Sequence, residues 1–173
     1  MADKRSKVRL VGLTSIRYGS IGATGAMVTT LNTLGNVVPD SAHFAIEAPS
    51  VTDINIEEED TPDLQILGSR KMTLEFGLRD MGTKTLLLAL GGTAAAGVWN
   101  APVTSNVITE YAFEVCSKTI NGKYLKFAIP RTSVRVGGDL KFARTDTGTL
   151  AFTCDVLIPQ SSTQISPCVI TQV

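Results

Sequence analysis

The residues in this chain whose types and spacing could do chemistry begin with Glu57, Glu58, Glu59 and Asp60, four consecutive carboxylates in the stretch VTDINIEEEDTPDLQIL. Four such groups could hold a cation, form an acid pair, or cap an exposed hairpin. A calcium loop of the EF-hand kind needs ligands at alternate positions, a glycine for its sharp turn and a distant bidentate glutamate. EEEDTPDLQ contains no glycine, and Pro62 stiffens its middle. Glycoside hydrolysis needs two carboxyls roughly 5–9.5 Å apart with one pKa raised. Alternate residues on any strand meet that spacing, so it discriminates nothing. Adjacent like charges repel and favour water around them, so the run reads as a solvated loop tip.

Other candidates weaken in the same way. Asp146-Thr147-Gly148 spells the aspartic-protease tripeptide, but Arg144-Thr145 before it and Thr149-Leu150 after it are the surroundings of an ordinary turn. Gly19, Gly22 and Gly25 miss the spacing of phosphate-binding loops, and no lysine follows them. His43 is the one histidine, without a second ligand at zinc spacing, and reads as a polar residue at the start of a strand. Trp99 lies in a small-residue stretch and fits either an interface anchor or a core plug. The sequence therefore leads us to expect no enzyme, no catalytic residue, no metal and no cofactor.

The elements that would carry these residues are mostly strands. The 173 residues suffice for one domain with a real core. The chain is 43% apolar and 18% charged, and its 21 threonines favour pleated surfaces over helices. Lysine plus arginine and aspartate plus glutamate balance at 16 each, which leaves no basic field for nucleic acid. Aromatic residues, at 6%, are too few for a base-stacking platform. MADKRSKVRLVGLTS lacks the apolar core of a secretory signal, and no run approaches a membrane span. Cys116, Cys154 and Cys168 show no C-x-x-C spacing and read as reduced thiols, the first two as small apolar side chains within strands.

Along the chain, Val8–Leu13 and Met27–Leu31 read as short strands, and SIGATGAM reads as loop. Residues 43–57 and 64–79 form the two arms of a long hairpin, in which Met72, Leu74, Phe76 and Leu78 alternate with Thr73, Glu75, Gly77 and Arg79. A helix of roughly three turns over 83–90 follows, with Asp80 as its N-cap and Gly91-Gly92 as its stop. Residues 93–106 read as a loop. Strands around Tyr111–Val115 and Leu125–Ile129 flank an Asn121-Gly122 type I′ turn. Gly137-Gly138-Asp139 and Thr145–Gly148 read as further turns, and TLAFTCDVLIP as the last strand. The expected fold is mainly β: an antiparallel β-sandwich or barrel with one short α-helix and long extended loops. It occupies residues 1–173 as a single domain, with an N-terminal arm at about 1–15 and a long hairpin loop at about 57–67.

In this order of elements the chain resembles the major tail tube proteins of long-tailed bacteriophages, and more distantly the tubes of type VI secretion and other contractile machines. The resembling stretches are LGNVVPDSAHFAIEAPSVTDINIEEEDTP, SRKMTLEFGLRDMGTKTLLLALGG, KYLKFAIPRTSVRVGGDLKF and TGTLAFTCDVLIP, together nearly the whole chain. The resemblance implies a virion structural protein, made in the host cytoplasm, that assembles into hexameric rings stacked as a hollow tail. DNA would pass through the lumen without specific binding, and the partners would be further copies, a tape measure, the baseplate and a tail terminator. By position, Glu57, Glu58, Glu59, Asp60, Thr61, Pro62, Asp63 and Leu64 would contact a neighbouring subunit, and Thr73, Glu75 and Arg79 would face the lumen. The alternatives are a head decoration or tail-completion protein, or a small-ligand-binding β-barrel.

Overall fold

The strict alternation of MTLEFGL folds as its period demands. In this computed structural model, which describes residues 10–54, 64–103, 109–142, 147–161 and 166–173, Met72–Leu78 is strand β6. Leu74, Phe76 and Leu78 lie on its buried side. In chain order the other strands are β1 (Leu13–Gly19), β2 (Asn32–Leu34), β3 (His43–Ile46), β4 (Val51–Ile54) and β5 (Leu64–Leu67), then, after β6, β7 (Thr93–Ala95), β8 (Val98–Asn100), β9 (Thr109–Ser117), β10 (Leu125–Phe142), β11 (Thr147–Val156) and β12 (Val169–Gln172). One short helix, α1 (Thr83–Leu90), stands between β6 and β7. The protein is mainly β, and every strand pair is antiparallel.

The main sheet runs β2-β1-β9-β10-β11-β6-β3, with β12 added against β10. β10 is its hinge. Along one edge it pairs with β9; along the other it meets β12 through Leu125–Ala128 and β11 through Thr132–Phe142, end to end. The β9 register slips between Ile129 and Thr132, where Pro130 has no N–H to give a ladder. That bulge swaps the inward parity: Phe127 and Ile129 are buried before it, Thr132 and Val134 after it. A strand bent this way lets the sheet roll up. Its two ends come together where the chain leaving β2 meets β6: Val38 N–H donates to Gly77 O at 2.8 Å, and Arg79 N–H to Asn36 O at 3.0 Å.

Inside the roll, Phe76 stacks on Phe152 with centroids 4.8 Å apart and meets Phe113 edge-on at 5.8 Å. Ile16, Leu74, Leu78, Leu88, Ile129 and Leu150 complete the centre of the core. α1 contributes Leu88 to that packing. Cys116 and Cys154 are buried, and burial pushes the Cys154 thiol well above its ordinary pKa.

Several local expectations are corrected. The first strand is Leu13–Gly19 rather than Val8–Leu13, so the end of the proposed N-terminal arm is already sheet. The second is Asn32–Leu34, not Met27–Leu31. α1 has eight residues, about two turns rather than three. Its N-cap is Gly82, while Asp80 accepts from Gly82 N–H at 3.0 Å and from the Thr85 hydroxyl at 2.9 Å. Residues 93–100 are not loop: β7 and β8 close a hairpin over Ala96-Gly97, both at positive φ. Gly137-Gly138 is not a turn; β10 runs through it, paired with Ala151 and Leu150. Of the expected Thr145–Gly148 turn, Thr147 and Gly148 begin β11, and Asp146 lies outside the described residues. The Asn121-Gly122 turn is as expected, with φ of 52° and 76°.

Candidate functional site

The long hairpin expected across residues 43–79 is present, and it leaves the barrel. β3 pairs with β6 from His43↔Glu75 to Ile46↔Met72. Glu47 N–H then donates to Lys71 O at 2.9 Å, and Gly68 N–H to Ser50 O at 2.7 Å. β4 and β5 resume at Val51↔Leu67 and continue to Ile54↔Leu64 in the same register. Pro49 therefore interrupts the bonding without slipping the pairing. Because directly paired residues share a face, Thr52, Ile54, Leu64 and Ile66 lie on one side of this arm, and Val51, Asp53, Gln65 and Leu67 on the other.

The first of those sides has the parity of Phe44 and Leu74, the inward residues of β3 and β6. The arm's apolar face is the barrel's core face prolonged past the end of the barrel. There it meets nothing among the described residues: all eight residues of β4 and β5 are exposed, and Ile54, Leu64 and Ile66 keep 42, 53 and 50% of their surface in water. A two-stranded hairpin alone is marginal in water, and each such side chain forgoes about 1.5–3 kcal/mol of burial. Gln65 Nε2 donates to Asp53 Oδ1 at 2.9 Å, the one polar tie across the arm among the described residues.

Of the contact residues proposed from sequence, Leu64 is the exposed first residue of β5, so the expected 57–67 loop gives way to strand from there. Glu57, Glu58, Glu59, Asp60, Thr61, Pro62 and Asp63 lie outside the described residues. Of the three proposed lumen residues, Thr73 is buried at 6% exposure in the single chain, set between Asp155 of β11 and Ala45 of β3. Glu75 is half-exposed with His43 Nε2 3.4 Å from it, and Arg79 is exposed just past β6.

The outward face of the main sheet carries several ion pairs. Glu114 takes Arg17 and Lys126, Asp155 takes Arg135 and Lys71, and Glu110 takes Arg131. Arg131 holds Glu110 through two bonds, Nε to Oε2 at 2.8 Å and Nη2 to Oε1 at 2.7 Å. That hydrogen bonding pulls the Glu110 carboxyl below its ordinary pKa and raises that of Arg131.

The roll is incomplete at its lower end. β2 covers β1 at Ile16–Tyr18, so the outer edge of Leu13–Ser15 carries no ladder bond among the described residues. The outer edge of β3 is equally open. Between these two edges lies a cleft of about 720 Å³ whose lining includes Leu13, Leu34, Val37, Phe44, Val115 and Phe127. Thr14 and Ser117 at its side are satisfied, Thr14 Oγ1 donating to Ser117 O at 2.9 Å and Ser117 Oγ accepting from Leu125 N–H at 2.9 Å. No group of His, Cys, Asp and Glu suited to a metal ion occurs among the described residues. Trp99 is half-buried and donates its indole N–H to Gly91 O at 2.8 Å, closing the C-terminal end of α1.

The cleft and the edge of β12 were missed from sequence. LTSIRYG does alternate Ile16 and Tyr18 against Arg17, and VITQ is β-branched, so each strand had a signal. Their meeting points are set by distant pairings: β1 with β9 more than 90 residues away, as in Arg17 with Glu114, and β12 with β10 more than 40 residues away. No protein-family model matches this chain, and no curated protein matches it. No described helix is long and apolar enough to cross a membrane, a statement that does not extend to strands.

Proposed function

We propose that this chain is a non-enzymatic structural subunit that assembles with copies of itself into hexameric rings, stacked as a phage tail tube through which DNA is delivered. The arm is the observation that carries this reading. A core face extended into water, flanked by two backbone edges that find no partner among the described residues, is stable and soluble in quantity when another chain covers it. The outer edges of β3 and β12 add further unpaired rims for sideways joining. The ion pairs of the outward face also fit a conduit, since a cation held by a carboxylate is less available to a passing polyanion. The tape measure, baseplate and tail terminator enter as partners through the resemblance alone.

Negative-stain electron microscopy of the concentrated protein tests the proposal. Uniform hollow tubes or six-fold rings are the expected result, and dispersed single molecules at every concentration would overturn it. One observation favours a second reading. The 720 Å³ cleft is of the size and apolar character of a small-ligand pocket. Monodisperse protein that takes up an apolar dye would support that barrel reading instead.

A further inference from the structure

We propose that the cleft between β1 and β3 is a vacant strand position that receives the β4–β5 arm of a second copy. The inference rests on the self-assembly reading and adds to it a donor, an acceptor and the residues that meet. The acceptor is defined by two strand edges. Leu13–Ser15 is hydrogen-bonded to β9 on one side, across a bulge at Thr14, and its other side carries no ladder bond among the described residues; His43–Ile46 is bonded to β6 on one side and is likewise open on the other among the described residues. Both edges line the same cleft, whose floor is apolar: Leu34, Leu74, Val115 and Phe127. A stave is absent from the barrel at this place, and a backbone with alternate apolar side chains is what would complete it.

The arm has what the cleft needs. β5 carries an open outer edge, and its Leu64 and Ile66, with Ile54 of β4, form the one face of the arm that continues the core. The arm cannot reach its own cleft. The bonds Glu47–Lys71 and Ser50–Gly68 hold it in line with β3 and β6. Eight residues beyond Ile46 carry its end up to roughly 26 Å away at strand rise. Donor and acceptor therefore satisfy each other between molecules. Because each copy has one of each, the contact is head-to-tail and propagates into a ring or filament. Pairing β5 with Leu13–Ser15 extends the β9–β1 ladder and turns Leu64 and Ile66 onto Val115 and Phe127.

The test is a cysteine pair, Leu13→Cys with Ile66→Cys, in a Cys116→Ala, Cys168→Ser background, oxidised gently after concentration and run on a non-reducing gel; Leu13 pairs with Ser117 and so shares the face of Val115. The expected result is a ladder of covalent multimers from the double variant and none from either single variant. Tubes or rings without the ladder would overturn the arm-in-cleft contact and leave the tube reading standing. Ladder without tubes would uphold the contact and remove the tube. Neither tubes nor ladder would overturn both. A disulfide within one chain, seen as a faster monomer, would overturn the contact by placing the arm in its own cleft. An apolar dye held in the cleft after assembly would overturn it in favour of a small ligand. Circular dichroism of each variant and of the Cys116→Ala, Cys168→Ser background checks the fold; of the two introduced cysteines, one replaces the exposed Ile66 and the other the half-buried Leu13.

Discussion

The Glu47 amide donates to the Lys71 carbonyl at 2.9 Å, and through that bond the ladder of the barrel passes into the arm without a change of register. A slip of one residue would have turned Ile54, Leu64 and Ile66 to the opposite side. Kept in step, they continue the inward face of β3 and β6, so the barrel ends in an uncovered strip of its own core. The fold is thus separable into a body that buries its apolar face and an arm that needs another molecule for its own.

Replacing Val51–Leu67 by Asn-Gly should leave that body intact. Ser50 and Gly68 already form a bonded pair that a two-residue turn can close. None of the described residues removed, Val51–Ile54 and Leu64–Leu67, belongs to the core. The shortened protein should keep its far-ultraviolet circular dichroism, and its thermal midpoint should move by no more than about 2–4 °C, the shift that about 1 kcal/mol produces in a domain of this size. Sedimentation velocity should show monomer at concentrations where the full chain assembles. Assembly of the shortened chain at the original concentration would disprove the arm's role.

Ile66→Asp separates the same two properties with one atom group. Ile66 is half in water in the single chain, so the change should alter unfolding free energy by no more than about 0.5 kcal/mol. In an apolar contact the carboxylate meets a full desolvation penalty. The concentration needed for assembly should rise at least about tenfold, equivalent to about 1.4 kcal/mol. Gln65→Ser, on the other side of the arm, is the control and should shift that concentration far less. Equal shifts would show that the two faces are not distinguished.

What the sequence revealed and what it hid divide along the range of the interactions involved. β6, β9 and β11 were legible because each carries its own period of two, and Asn121-Gly122 because both residues tolerate positive φ. Gly137-Gly138 has the local look of a turn, yet β11 keeps the strand straight through it. A Cβ on Gly138 would stand 2.8 Å from Leu150 Cδ2, so glycine there serves close packing. The β7–β8 hairpin was hidden because Ala96, at φ 47°, is not a residue that announces such a turn. The alternation of Thr73 with the core residues of β6 was readable, but its burial beside Asp155, far along the chain, was not. The hairpin bearing the arm was readable; the cleft was not, because it is made by strands that never pair with each other.

Phe152 should be the costliest side chain to truncate. Its ring lies 4.8 Å from that of Phe76 with 8° between planes, and it is 1% exposed. Phe152→Ala removes the stack and leaves a cavity among Leu74, Leu150 and Phe113, so a loss of about 3–5 kcal/mol is expected in urea titration. Phe152→Leu, which keeps most of the volume, should lose about half of that or less. A loss below about 1 kcal/mol for the alanine variant would mean that the two rings are not packed as described.

Arg131 and Glu110 should make part of the stability depend on acid. Glu110 titrates below its ordinary value of 4.5 because Arg131 hydrogen-bonds its charged form. A depressed carboxyl stabilises the fold above its unfolded pKa, and that contribution disappears as pH falls through the folded pKa. Both side chains are about one-fifth exposed, at 18 and 22%, so solvent discounts the pair to about 1 kcal/mol. Arg131→Met should therefore unfold earlier in urea than the unsubstituted chain at pH 7, by about that amount. At pH 3 the gap should shrink toward what is left by losing the bond that does not involve Glu110, from Arg131 Nη1 to Ile158 O at 3.1 Å. A gap that is as wide in acid as at neutrality would show that packing of the arginine stem, and not the ion pair, is what Arg131 contributes.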